Sequence, residues 1–383
     1  YRFTVNADRA LVAQFEMQIP EPEEYTITVS ASPTNGGTVT GGGTYQEGQQ
    51  CTVTASANTG YTFINWTENG EQVSANANYT FTVNSNRTLV ANFTAAPTQP
   101  PMGTINGLFT INANGNQVWF SQGNLQYQAS TNTWRFAENQ WDYVGSQNPS
   151  SGNPGGTVSG SDNANISSTY SGWIDLFGWG TSGWNCGNTF YRPWNTNRDG
   201  SLYGPPGPYN LTGRYANSDW GSYNAISNGG ASSWRTLTNA EWVYLFNTRS
   251  ASTVNGVANA RYAKAMVNGI SGIILFPDNY THPVGVTLPA SINTSGAAYA
   301  VNSYSGDGWT AMEAAGSVFL PAAGYRLGTS VRIAGSNGYY WSSTFVNSYC
   351  AYDLNFGSGY IRPQGIGYRY SGFSVRLIQD YNP

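Results

Sequence analysis

The sequence predicts a mixed fold class, an all-β repeat module followed by an α+β domain. Three observations predict it. Residues 1–15 read YRFTVNADRALVAQF and residues 79–93 read YTFTVNSNRTLVANF, so one β-rich unit occurs in tandem. The stretch AAPTQPP over 95–101 has the composition of an extended, stiff linker. Beyond it the repeat pattern disappears, and a capped amphipathic segment from Thr238 to Arg249 stands among short apolar runs.

The repeat predicts that residues 1–15 are the C-terminal piece of a truncated copy and that the complete copy covers 24–94. The link between them, IPEPEE over 19–24, is stiffened by Pro20 and Pro22. In the complete copy Tyr25–Ala31 alternates at period two, glycine turns follow at Asn35–Gly37 and Gly41–Gly43, and Cys51–Ala55 is another strand. Tyr61–Trp66 then precedes a turn at Asn69–Gly70. Short strands, regular turns and no helical period mean a small all-β module. Trp66 and the Tyr and Phe residues around it read as core, not as a ligand platform. The pattern TVSASP, GGTVTGGG, GYTFINW and RTLVANF resembles the divergent internalin-type B repeat, which implies a spacer in a bacterial surface protein.

After a linker at 95–102, the second domain covers 103–383. Strands are expected at 108–112, 117–121 and 125–128, with an aromatic-dense seat at 134–143. A Gly, Ser and Asn loop fills 147–169, three tryptophans lie between Trp173 and Trp184, and 185–217 is irregular. Thr238 and Glu241 form a capping box, and Trp242, Leu245 and Phe246 share one helical stripe. A strand at Gly272–Phe276, a helix near Gly308–Ala315 and a strand at Ser317–Ala322 follow.

The last stretch, 338–379, organises the domain. Tyr352, Leu354 and Phe356 alternate with Asp353, Asn355, Gly357 and Gly359, the period of a strand with one buried face. Phe373, Val375 and Leu377 repeat the inward pattern. The expected outer face and the loop beside it carry Phe345, Val346, Asn347, Tyr349, Cys350, Asp353, Asn355, Tyr360, Arg362, Gly365, Ile366, Gly367, Tyr368, Tyr370 and Ser371. A solvated face normally shows Lys and Glu, and this set has neither.

The frame around those positions is Trp341–Thr344, Ala351, Tyr352, Leu354, Phe356, Ser358, Pro363, Arg369 and Gly372–Leu377. It resembles the C-terminal variable region of proteins diversified by a retroelement, and the paralogous surface domains first named from Fibrobacter. Trp234 to Trp242, with Tyr244, is similar to a segment of the formylglycine-generating fold, with Thr236 and Leu237 where that segment has Leu and Pro. The resemblance implies a C-type-lectin-like fold, shared with the phage major tropism determinant. It also implies that adenines of Asn codons are replaced at random, which yields every residue type except Lys, Gln, Glu, Met and Trp. The positions read as variable contain none of those five, and Trp341 and Gln364 stand among them as scaffold. The variable face is then the ligand-binding site, from Phe345 to Ser371, with Gly357 and Gly359 included.

Composition narrows the alternatives. A net charge of −4 and no basic run exclude a nucleic-acid footprint, and no apolar run is long enough to span a bilayer. Cys51, Cys186 and Cys350 give no disulfide framework. His282 reads as a loop side chain with no nucleophile-elbow motif near it. Asn195–Gly200 begins like a calcium loop, but Pro206 stands where a bidentate Glu is required. No catalytic residue, metal or cofactor is assigned. The first expectation is therefore a monomeric, extracellular binder on a bacterial surface, or on a phage particle. Its partner is a protein or glycan on another cell, host or phage. The alternatives are a non-diversified adhesin or pilus-tip subunit of the same fold and, more remotely, an enzyme of the formylglycine-generating type.

Overall fold

Alternating apolar residues need partners on both sides before they become a sheet, and the two parts of this chain find them differently. The computed structural model describes residues 2–17, 21–58, 61–95, 100–146, 155–158, 162–230 and 233–381. Parts of both expected linkers (18–20 and 96–99) and of the 147–169 loop lie outside the described residues. The chain divides into two compact units, Tyr1–Thr98 and Gln99–Pro383.

The first unit is all-β. Its strands are β1 (Glu24–Ser32), β2 (Gly37–Thr40), β3 (Gly43–Gln46), β4 (Gln50–Ala57), β5 (Tyr61–Glu68), β6 (Glu71–Ser74), β7 (Asn78–Thr82) and β8 (Arg87–Ala95). They build a five-stranded sheet, β3-β1-β8-β5-β6, and a three-stranded sheet, β2-β4-β7. Ile27, Trp66, Leu89, Ala91 and Phe93 from the first meet Cys51, Val53 and Ala55 from the second in one core. Trp66 is fully enclosed and donates its indole N–H to the Ala77 carbonyl at 3.2 Å. Arg87 closes the rim, on Glu68 at 2.6 Å and over the Phe81 ring.

Residues 2–17 carry the sequence of β7 and β8, yet they form no strand and are exposed. The reason is tertiary. β8 is held between β1 and β5, whereas no strand among the described residues pairs with the 2–17 segment.

The second unit is α+β. In order come β9 (Phe109–Thr110), β10 (Gln117–Phe120), β11 (Leu125–Gln128), β12 (Thr133–Phe136), α1 (Trp220–Tyr223), β13 (Arg235–Thr236), α2 (Asn239–Asn247), β14 (Tyr262–Val267), β15 (Ile270–Leu275), β16 (Ser303–Tyr304) and α3 (Gly306–Ala314). Then follow β17 (Val318–Pro321), β18 (Tyr325–Leu327), β19 (Ser330–Arg332), β20 (Gly338–Phe345), β21 (Cys350–Gly357), β22 (Tyr360–Tyr368) and β23 (Leu377–Asp380). The main sheets run β13-β23-β10-β9, β16-β14-β15-β17 and β20-β21-β22.

The capping box of α2 forms as its residues dictate. Thr238 Oγ1 accepts from Glu241 N at 3.2 Å, and Glu241 accepts from Thr238 N at 2.7 Å. Arg235 clamps this turn to β23 through Glu241 and Asp380. Trp242, Leu245 and Phe246 enter a core with Tyr340, Leu354 and Phe356. A second core gathers Trp134, Phe177, Trp179, Trp220, Trp234, Trp341 and Phe373. The strand expected from Phe373 onward starts only at Leu377; Phe373 and Ser374 make single bridges, to Phe177 and Tyr340. Ser374 and Arg376 are as buried as Phe373 and Val375. Both sides of that segment are enclosed, so its alternation does not report a solvent face.

Each unit has its own core, so the second unit is expected to unfold in one cooperative transition when produced as 99–383 alone. Far-UV and near-UV circular dichroism during urea titration checks this. A fragment without a cooperative transition would move the boundary.

Candidate ligand-binding surface

The sheet β20-β21-β22 carries most of the predicted site residues; Val346, Asn347, Tyr349, Gly359, Tyr370 and Ser371 lie in the turns beside it. β21 is its middle strand. Residues paired across antiparallel strands project to the same face. Tyr340 pairs with Leu354, and Gly338 with Phe356, on the face that α2 covers. Cys350 pairs with Tyr368, and Tyr352 with Ile366, so these four lie on that same face, toward the opposite end of β21. There the cover stops. Tyr349, Ile366 and Tyr368 are 56%, 60% and 55% exposed. The Tyr368 ring stacks on Tyr370, centroids 5.0 Å apart and planes 7° from parallel. Arg369 N donates to the Tyr349 carbonyl at 2.9 Å, which joins the start of β21 to the end of β22. The turn before β21 is held by Asn347, whose Oδ1 accepts from Tyr349 N and Cys350 N. Asn347 is exposed, while Phe345, Val346 and Cys350 are half-buried. Burial raises the Cys350 thiol pKa.

The opposite face differs from the expectation. Asp353 and Asn355 do project away from Leu354 and Phe356, but they are buried, as are Gly357, Gly365, Gly367 and Ser371. The reason is the second core. Phe373 stacks on Trp341 at 4.2 Å and on Tyr339 at 4.9 Å, and roofs this face. A Cβ added at Gly367 would lie 2.4 Å from the Phe373 ring, and one at Gly365 would meet the Asp353 and Asn355 side chains. Those two positions are held as glycine by close approach, so they do not vary freely. Asp353 Oδ1 accepts from Asn355 Nδ2, and Oδ2 has no partner among the described residues. Burial pushes the Asp353 carboxyl up to about 7, partly offset by that hydrogen bond.

Tyr360 and Arg362 belong elsewhere. The eight residues of β21 span about 23 Å at the usual strand rise. Tyr349 precedes one end, whereas Tyr360 starts β22 beyond the other. Arg362 lies over the Tyr360 ring, whose hydroxyl accepts from Asn337. Pro363 and Gln364 occupy the register shift between Asp353 and Asn355, a bulge that suits a residue without an N–H. Gly359 is exposed with open space beside it. The turn that holds Gly359 is tied down by Lys264, whose Nζ donates to the Gly357 carbonyl at 2.6 Å. Burial lowers its pKa to about 8.

The sequence reading set Arg369 in the frame but assigned it no contact, and it missed the 205–215 loop. Arg369, fully enclosed, donates to the Tyr203 and Pro205 carbonyls and lies over the Trp179 ring. It fixes the loop that follows Gly200 beside the tyrosines. Further along, Asn210 accepts from Phe345 N, and Tyr209 packs with Tyr215 at 4.8 Å, both beneath Arg214. The stretch PPGPYNLTGRY (205–215) has no period; a tyrosine-arginine cluster inside a proline-rich loop was the available signal.

The other candidates are used locally. His282 bridges the Tyr280 hydroxyl and the Val286 carbonyl. Asn195, Asn197 and Asp199 each accept from the backbone N–H two residues on, a series of Asx turns. Among the described residues, no cluster of His, Cys, Asp and Glu is arranged to hold a metal, and no helix is long and apolar enough to cross a membrane.

Comparison with known families divides the chain in the same place. Residues 27–97 are similar to the divergent InlB B-repeat domain, and the match takes in most of β1 and the whole of β2 to β8. Residues 298–378 are similar to a domain of unknown function, DUF8237. That match contains the whole of β20-β21-β22. No curated protein and no solved structure matches the chain.

Proposed function

We propose that this is a surface-displayed binding protein whose C-terminal domain holds a macromolecular partner through the tyrosine rim at Tyr349, Ile366, Tyr368 and Tyr370. The joint exposure of Tyr349, Ile366 and Tyr368 at one end of the sheet, with the half-buried Tyr370 stacked beneath Tyr368, supports the reading. Tyrosine offers wide contact area at low entropic cost, and monomeric proteins rarely leave such patches exposed without use. The B-repeat similarity supports display at a bacterial surface, with the repeat as spacer. The partner is a protein or glycan on another cell, host or phage. In this reading the domain has a C-type-lectin-like fold, and the rim belongs to a retroelement-diversified region at about 338–379. Asn347, Tyr349, Gly359, Arg362, Ile366 and Tyr368 are its solvent-facing positions, while Asp353, Asn355, Gly365 and Gly367 belong to the frame. Binding rather than catalysis is favoured because the carboxyls that burial raises, Asp175 and Asp219 to about 6 and Asp353 to about 7, are enclosed and cannot meet a substrate. Asp175 holds Val144 N and Asn163, and Asp219 holds Thr236.

Full-length protein immobilised against extracts of neighbouring bacteria or host mucus captures the partner. Tyr349→Ala, Tyr368→Ala and Tyr370→Ala are each expected to weaken its Kd about 30-fold, roughly 2 kcal/mol. A triple variant that holds the captured partner undiminished would remove the rim from consideration. Diversification is tested at the locus. A near-copy of the 338–379 coding segment, differing only at adenines and lying beside a reverse-transcriptase gene, is the expected finding.

A further inference from the structure

A pocket of about 270 Å³ opens in the second unit, lined by Tyr127, Asn132, Cys186, Trp194, Tyr223 and Asn224. It shares no residue with the tyrosine rim. Its floor is aromatic and ordered. Tyr127 is buried, and its ring stacks near-parallel with Trp194, 15° between planes. The Tyr127 hydroxyl donates to Asn132 Oδ1 at 3.1 Å, so the ring is locked. Its mouth is at the surface, where Tyr223 is 46% exposed and Cys186 is exposed. Asn224 is held by two hydrogen bonds from its Nδ2, to the Ser182 and Trp220 carbonyls. Neither Asn224 Oδ1 nor Asn132 Nδ2 is engaged by a described residue. Tyr127 is itself packed against Trp134, centroids 4.3 Å apart, so Trp194 and Tyr223 supply the accessible aromatic surface, with one amide acceptor and one amide donor beside them. No charged side chain lines it.

Those properties select the ligand. The absence of charge disfavours ions, whose desolvation would go uncompensated. The volume lies just below the usual range for drug-sized ligands, so one ring fits. A purely apolar ring would leave the two amide groups unused, since Asn132 is exposed and Asn224 half-buried, whereas a hydroxylated one can pair with them. A neutral ring with a C–H face and peripheral hydroxyls satisfies both kinds of lining. We infer that this pocket binds a single neutral pyranose unit, seated on Trp194 and Tyr223, with the rest of a glycan leaving through the mouth.

The test uses the full chain and the methyl glycosides of glucose, galactose, mannose and N-acetylglucosamine. Tryptophan fluorescence is titrated with each. In parallel, alkylation of Cys186 by iodoacetamide is followed by peptide mass mapping. At least one glycoside is expected to give saturable quenching and to slow Cys186 alkylation several-fold, with Cys350 labelling unchanged. Trp194→Ala is expected to weaken that glycoside about tenfold or more. Tyr223→Ala, at an exposed position that does not endanger folding, lowers it in the same direction. The Tyr349, Tyr368 and Tyr370 triple variant retains sugar binding, which keeps this outcome separable from the fate of the rim. The inference is overturned if no glycoside quenches or protects, if both Trp194→Ala and Tyr223→Ala bind like the parent, or if only an aromatic amide such as phenylalaninamide protects Cys186.

Discussion

Phe373→Ala and Trp341→Ala are each expected to lower the stability of the second unit by about 3–5 kcal/mol, the range for large aromatic truncations in a packed core. The two rings stack at 4.2 Å, and Phe373 also meets Tyr339 and Tyr325. Trp341 is fully enclosed and donates its indole N–H to the Phe177 carbonyl at 2.7 Å. Phe177 in turn exchanges both backbone hydrogen bonds with Phe373. Truncating either ring leaves a cavity that cannot collapse, because the Phe177 bridge holds the backbone on one side and the sheet holds it on the other. The Phe373 loss also unroofs Gly367 and Asp353. Urea denaturation of 99–383 measures the change. A fully stable Phe373→Ala protein would contradict the roofing of this face.

Asp353→Asn is expected to stabilise the protein by about 2–4 kcal/mol at pH 8 and by little at pH 4. Desolvation raises the Asp353 carboxyl to about 7 in the folded state, from an ordinary value of 3.8. The folded protein therefore keeps this proton through a window in which the unfolded chain has released it. Stability falls as pH rises from about 4 to about 7, and the whole penalty is present above 7. A shift of about three units sets the upper end of the magnitude. Asp175 and Asp219, both raised by burial to about 6, act in the same direction. Asparagine carries no charge to desolvate, so its benefit grows over the same window. Chemical denaturation at pH 4, 6 and 8 checks the slope. A variant that gains nothing at pH 8 would mean that Asp353 is ionised at no cost, which its unpartnered Oδ2 and full enclosure oppose.

Much of the architecture was legible in the residues, because it depends on local chemistry. The capping box Thr238–Glu241 needs only two side chains three apart. The repeat module declares itself through alternation and glycine turns, and Trp66 could be read as core from its place in that pattern. The candidate surface was legible in part. Tyr349, Ile366 and Tyr368 are exposed as expected. Period two also correctly set Asp353 and Asn355 opposite Leu354 and Phe356. It could not say that both sides of β21 are covered. That was decided by Phe373, 20 residues from Asp353, which folds back over the sheet, and by α2 on the other side. The same limit separated Tyr360 and Arg362 from the tyrosine rim. Hairpin strands return residues close in sequence to opposite ends, and only the register β20-β21-β22 shows which end. Arg369 reaching the Tyr203 and Pro205 carbonyls, and Tyr127 meeting Trp194, join segments more than 60 residues apart. No periodicity encodes such pairs. The sequence by itself determined which residues are apolar, capped or turned; only tertiary packing decided which of them water still reaches, because a side chain's exposure depends on what is laid over it from the rest of the chain.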